Sequence, residues 1–270
     1  MRSTGYGVRV LALVAFALAG LMPALAAAAT PNPTSAVIHE RVFNDCPSSI
    51  LTTGNSYPTS LFIEDLNLSC GGFANLHNWH FSVDGSNSAV FDNGNAFRYS
   101  FDLVISGTSE GEAGALIAPW WSQNVDGKFN VRTTDGEIAI FGGRLPFYSF
   151  TTSHGLAYVK GTTIHLQVTY FPHSLSMADP ATIEFEIDYN ASHYTSGPLP
   201  FDEGNPAEPY GTWGIMDDAR VGGYIQVFLQ GGNSAAGLRA DFTDIVFENL
   251  DDVVPVESTT WGRVKSLYRD

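Results

Sequence analysis

Five large apolar side chains, Phe97, Tyr99, Phe101, Leu103 and Ile105, occupy every second position of one stretch. Successive side chains of a β-strand point to opposite faces, so this spacing predicts a strand with one buried face. The pattern recurs at Ile164, Leu166, Val168 and Tyr170, and at Ile183, Phe185, Ile187 and Tyr189. Residues 113–121 are apolar at nearly every position, as in a strand buried on both faces. Residues 128–133 and 137–141 flank Thr134-Asp135-Gly136 and read as a hairpin. Shorter strands are expected at 61–63 and 79–83, and closing strands at 224–230 and 239–248. No segment before the C-terminal tail has sustained helical periodicity. Many short strands separated by Gly, Asn and Ser clusters predict an all-β fold, a single antiparallel β-sandwich or jelly roll.

The N-terminus carries Arg2 and Arg9, an apolar run over 10–21, and Ala24-Leu25-Ala26-Ala27-Ala28-Ala29. A basic start, a short apolar core and an A-x-A exit predict a secretory signal peptide over 1–29. The run is shorter than the roughly 20 residues that span a bilayer, so no membrane span is expected after cleavage. The predicted organisation continues with a flexible leader over 30–36, the sandwich over 37–250, and a linker with a short amphipathic helix or tag over 251–270. In that tail Trp261, Val264, Leu267 and Tyr268 recur at helical spacing. Cys46 and Cys70 are the only cysteines, and in an exported chain they predict one disulfide. Closing that loop stabilises by about 3–4 kcal/mol in the chain-entropy model. The net charge is −15, which opposes nucleic acid and anionic lipid as partners and leaves sugars, cations and basic partners open. The expected location is secreted or cell-surface.

The stretch 163–247 resembles the concanavalin A-like jelly roll, in particular its laminin-G-like domains. The pieces that carry this are Ile164-His165-Leu166-Gln167-Val168-Thr169-Tyr170, Ile183-Glu184-Phe185-Glu186-Ile187-Asp188 and Phe242-Thr243-Asp244-Ile245-Val246-Phe247. A longer stretch, 74–247, is similar to a group of uncharacterised exported bacterial proteins with this jelly roll. Its matching pieces include Ala74-Asn75-Leu76-His77-Asn78-Trp79, Ser82-Val83-Asp84-Gly85, Glu112-Ala113-Gly114, Phe141-Gly142-Gly143, Pro146-Phe147-Tyr148 and Gly222-Gly223-Tyr224-Ile225-Gln226. The resemblance implies the fold and export. The laminin-G-like part implies sugar or protein binding, sometimes with calcium, and it carries over no catalytic residue.

Several constellations can be weighed for chemistry. Glu184, Glu186 and Asp188 alternate on one strand and share a face. Retaining glycosidases use two carboxyl groups about 5–5.5 Å apart, which makes these three the glycoside hydrolase candidates. The opposing view is that alternation against Ile183, Phe185, Ile187 and Tyr189 already demands polar residues there. His77 and His80 flank Asn78-Trp79, but on a strand they point to opposite faces and cannot share a metal. Asp217 and Asp218 are the calcium candidates, with Asp84, Asp92 and Asn93 as further turn oxygens, although Asp and Asn are also ordinary turn residues. Trp120 and Trp121, expected at a strand end with one ring in and one out, and Tyr210 and Trp213 in a loop, offer aromatic faces for sugar stacking. Elbow, zincin, phosphate-loop and dinucleotide signatures do not occur. On these grounds the leading expectation is a non-catalytic binding or adhesion module for a glycan or surface polymer, with an enzyme disfavoured. A glycoside hydrolase and a structural envelope or matrix protein stand as the alternatives.

Overall fold

The computed structural model describes residues 29–201, 213–215 and 218–251. The alternating stretches assemble into two antiparallel sheets packed face to face, a β-sandwich jelly roll. The seven-stranded sheet runs, in spatial order, β1 (Ser35–Asn44), β4 (Ala74–Ser82), β14 (Arg220–Phe228), β6 (Gly111–Ala118), β7 (Lys128–Arg132), β8 (Ile138–Phe141) and β9 (Tyr148–Ser149). The eight-stranded sheet runs β12 (Ser192–Thr195), β11 (Thr182–Tyr189), β10 (Thr163–Phe171), β5 (Phe97–Gly107), β15 (Gly237–Asn249), β3 (Ser60–Leu66) and β2 (Ile50–Ser56), and β13 (Leu199–Pro200) also pairs with β11.

The core lies between the inner faces. Trp79 of β4 reaches across the layers, with its ring centroid 5.8 Å from Phe101 and 5.7 Å from Phe242 in the other sheet. Its cross-strand partner is Gly223. A Cβ there would stand 2.6 Å from the indole nitrogen, so the glycine makes room for the ring. The alternation argument is met along β5, β10 and β11, where every second residue is fully buried.

At one end of the sandwich a polar network is sealed inside. The Cys46–Cys70 disulfide forms, as the even cysteine count predicts. Beside it, Asn75 Nδ2 donates to Asp65 Oδ2 at 2.6 Å and His77 Nε2 lies 3.2 Å from the same oxygen. The Arg41 amide donates to His77 Nδ1, which leaves Nε2 as the donor toward Asp65. Burial pushes the Asp65 carboxyl up, but the hydrogen bonds from His77, Asn75 and Ser49 outweigh it and hold the group below its ordinary value.

Several expectations are corrected. The leader over 30–36 is not a free arm: Thr30 is buried, its amide and hydroxyl bond Asp251 at 2.8 and 2.6 Å, and β1 already begins at Ser35. Strands β1, β2 and β12 were not expected, because their polar and apolar residues do not alternate cleanly. The strand at 113–121 ends at Ala118, since Pro119 cannot donate to the ladder, and Trp120–Ser122 form a 3-10 turn. A five-residue helix, α1 (Phe150–His154), interrupts the all-β pattern, capped by the Ser149 side chain and closed by Gly155 in the left-handed region. The signal peptide and the C-terminal helix or tag lie outside the described residues; among the described residues no helix is long and apolar enough to cross a membrane.

Candidate functional site

Strand pairing places two rows of side chains across the outer face of the seven-stranded sheet. One row consists of His39, Asn78, Tyr224, Gly114 and Asn130 on β1, β4, β14, β6 and β7. The next consists of Val37, His80, Gly222, Leu116 and Lys128 on the same strands. Outer faces of sandwiches usually meet water, yet Asn78, His80, Tyr224 and Asn130 are each at most 1% exposed. Leu76, Leu116, Ala118 and Tyr224 form a small apolar cluster among them.

The polar groups are partly satisfied by one another. The Tyr224 side chain crosses Gly114, which has no side chain to block it, and its hydroxyl lies 2.9 Å from Asn130 Oδ1. Lys128 Nζ stands 4.6 Å above the Tyr224 ring and donates to Glu112 Oε1 at 2.8 Å and Gln226 Oε1 at 2.9 Å. Burial pushes the Tyr224 hydroxyl well above its ordinary value, with the Glu112 charge acting the same way, so it stays protonated. Asn78 Nδ2 donates to the Asn124 carbonyl at 2.7 Å, which ties the turn carrying Trp120 and Trp121 to this face. Ser88 Oγ lies 2.9 Å from His80 Nδ1 and 2.9 Å from His39 Nε2, and the two rings are 4.5 Å apart.

Three groups keep unused capacity. Asn78 Oδ1, His80 Nε2 and Asn130 Nδ2 are buried and have no hydrogen-bond partner among the described residues. Leaving such a group unmet costs about 1–3 kcal/mol, so its retention needs a reason. Burial, then the charges of His39 and Arg220, push His80 down to about 3, so its ring is neutral in all but strong acid. His39 is lowered by the same causes, burial first. The Arg220 guanidinium bonds the carbonyls of Asp218 and Ala219 and has no carboxylate within salt-bridge distance among the described residues. The arrangement therefore offers a neutral imidazole, amide donors and acceptors, and a cation on one face.

The sequence-predicted candidates divide. Glu184, Glu186 and Asp188 lie on the outer face of the other sheet, and each has a protein partner. Thr195 donates to Glu184 at 2.6 Å, Gln167 donates to Glu186, and His193 lies 2.8 Å from Asp188 and 3.4 Å from Glu186. The hydrogen bond to Asp188 holds His193 above its ordinary value. The small depression there is lined by His165, Gln167, Glu186, Ile187, Asp188 and His193, with no tryptophan beside it. Trp120 and Trp121 do not divide into one ring in and one out: the turn leaves both half-buried, meeting edge to face at 5.9 Å. Trp213 is half-buried, and its carbonyl accepts the Ala181 amide. Tyr210 and Asp217 lie outside the described residues. Asp218 is exposed, and Asp84 holds its own turn by accepting the Ser86 and Asn87 amides. Among the described residues, no group of three or more His, Cys, Asp or Glu is placed to hold a metal. His77 and His80 do face opposite ways. Sequence reasoning missed Ser88, Asn130, Tyr224 and Arg220 as site residues. The shared parity of Asn78 and His80, and of Tyr224 and Gln226, is the signal that was available.

No protein-family model matches the chain, and no curated protein matches it. Solved structures do. An alginate lyase from Corynebacterium sp. is similar at 10% identity and a TM-score of 0.44, over 80% of this chain and 94% of that one. An alginate lyase from Klebsiella pneumoniae is similar at 9% identity and a TM-score of 0.45, over 75% of this chain and 85% of that one. Arcelin-5, a lectin-like defense protein from Phaseolus vulgaris, is similar at 12% identity and a TM-score of 0.36, over 79% and 91%. Set against these similarities, the expectation of a non-catalytic binding module and the leaning away from an enzyme are not kept. The strand carboxylates singled out from the sequence lie on the eight-stranded sheet, whereas Asn78, His80 and Asn130, with their unused capacity, lie on the other.

Proposed function

We propose that the outer face of the seven-stranded sheet is the active site of a polysaccharide-degrading enzyme that acts outside the cell on an acidic polymer by base-assisted elimination. The observation that carries this reading is the set of three buried, unpartnered groups, Asn78 Oδ1, His80 Nε2 and Asn130 Nδ2, on one face near Arg220. A ligand with its own donors and acceptors removes their cost on binding. The chemistry points to elimination. Hydrolysis uses two carboxyl groups, whereas neither row carries one, and Glu112 in the adjoining row is held by Lys128. A uronate ring offers a carboxylate for Arg220 and hydroxyls for the Asn78 and Asn130 side chains. Partial neutralisation of that charge acidifies the adjacent C–H bond. The neutral His80 ring takes this proton, the C–H electron pair forms a C=C bond, the C–O bond on the next carbon breaks, and its oxygen takes a proton from water. Trp120 and Trp121 border the face and supply stacking surfaces. Export is supported by the N-terminal sequence and by the disulfide.

The test is to incubate the purified chain with alginate, pectate and hyaluronate, following both the ultraviolet absorbance of unsaturated ends and the release of reducing ends. Both signals rising on one polymer support the proposal. Reducing ends without absorbance mean hydrolysis, and neither signal on any acidic polymer overturns the reading.

A further inference from the structure

We infer that Ser88 joins His39 and His80 into a proton relay connecting the buried Nε2 of His80 with solvent. The inference rests on the proposed site for its use in turnover, but the relay itself is a property of the resting protein. The His80 ring is 1% exposed and has little direct contact with bulk water. His39, at the edge of the same face, is partly exposed. Between them stands a single hydroxyl, 2.9 Å from each ring.

A serine hydroxyl has one proton and two lone pairs, and a relay uses it as donor to one ring and acceptor from the other. Two arrangements satisfy this. In the first, His39 Nε2–H donates to Oγ, Oγ–H donates to His80 Nδ1, and His80 carries its proton on Nε2. In the second, His80 Nδ1–H donates to Oγ, Oγ–H donates to His39 Nε2, and His80 Nε2 is a free base. Going from the second to the first, His80 takes a proton at Nε2 and passes its Nδ1 proton to Oγ. Oγ passes its own proton to His39 Nε2, and His39 releases its Nδ1 proton to water. One proton enters, one leaves, both rings begin and end neutral, and nothing is oxidised or reduced. The groups next to His80 suit neutral rings: Val37 and Gly222 flank it across the strands, and the nearby charge is the Arg220 cation. Ser88 and His39 thus act through His80 and are positioning residues.

The relay requires the two rings to share a tautomer, both Nε2–H or both Nδ1–H; a hydroxyl that only accepts would leave them opposite. Nitrogen-15 NMR of labelled imidazoles at neutral pH reads this directly and needs no substrate. Matching neutral tautomers in the wild type, uncoupled by Ser88→Ala and restored by Ser88→Thr, are expected. Opposite tautomers, or a protonated ring, overturn the relay even if the enzyme is active. On a polymer that is cleaved, Ser88→Ala and His39→Gln should each lower kcat on the order of tenfold with KM unchanged. An unchanged kcat overturns the catalytic use of the relay. A folded protein with matching tautomers and no activity on any polymer removes the proposed reaction and leaves the relay standing.

Discussion

The two outer faces of the sandwich both carry polar side chains and use them in opposite ways. On the eight-stranded sheet, Glu184, Glu186 and Asp188 each meet a partner from a neighbouring strand, and His165 meets Asp102 at 2.6 Å. These groups are open to water and content there. On the seven-stranded sheet, the groups are sealed from water, and three of them remain unmet. Acidic residues in register are what alternation produces on any wet face. Buried polar residues with nothing to bond are what folding alone disfavours, and they are the better pointer to chemistry.

The sharpest way to break this comparison is His80→Gln. Removing the neutral ring should lower kcat on a cleaved acidic polymer by about 100-fold or more, measured from the rate of unsaturated-end formation. Activity within a few-fold of wild type would move the reaction away from this face. Tyr224→Phe comes next. It strips Asn130 of its hydroxyl partner and leaves a second orphan on a buried amide, at about 1–3 kcal/mol in urea unfolding. No change in the urea midpoint would mean that water already serves Asn130.

The two faces should also separate by pH. His80 is pushed down to about 3 from 6.5, so its stabilising contribution is complete above 6.5 and is lost as the pH falls from there toward 3. His193 is raised by Asp188, so its smaller contribution is complete below 6.5 and fades as the pH rises through its elevated value. An NMR titration should show His193 charging first and His80 staying neutral in mild acid; the reverse order would undo the contrast. The smallest effect is expected from Glu184→Gln, Glu186→Gln and Asp188→Asn combined, which should leave kcat within about twofold, because general acid–base work is assigned to the other sheet. A loss of a hundredfold would restore the carboxylates as catalysts.

Much of the fold was legible in the sequence. The ranges 163–171 and 182–189 coincide with β10 and β11 because the inner face there is strictly apolar at every second residue. Edge strands were harder. The Ile50–Ser56 strand has one neighbour and an almost wholly polar sequence, so nothing in its pattern separates it from a loop. The site was legible only in fragments. Asn78-Trp79-His80 is visible as a polar pair around an aromatic, and alternation puts Asn78 and His80 on one face. No local pattern tells that β14 inserts between β4 and β6, which brings Tyr224 beside Asn78. Nor does any pattern tell that the 83–96 loop returns Ser88 to His80.

The clasp between Thr30 and Asp251 has a consequence for how this chain can be rearranged. The Asp251 carboxylate also takes the Ala96 amide, so both ends of the described fold are pinned to one corner of the sandwich. A short linker there would close the chain into a ring, and cutting the exposed 174–179 turn would open it again without severing a strand. The product, a circular permutant, would carry its new ends far from the old ones in sequence while both sheets kept their strand order.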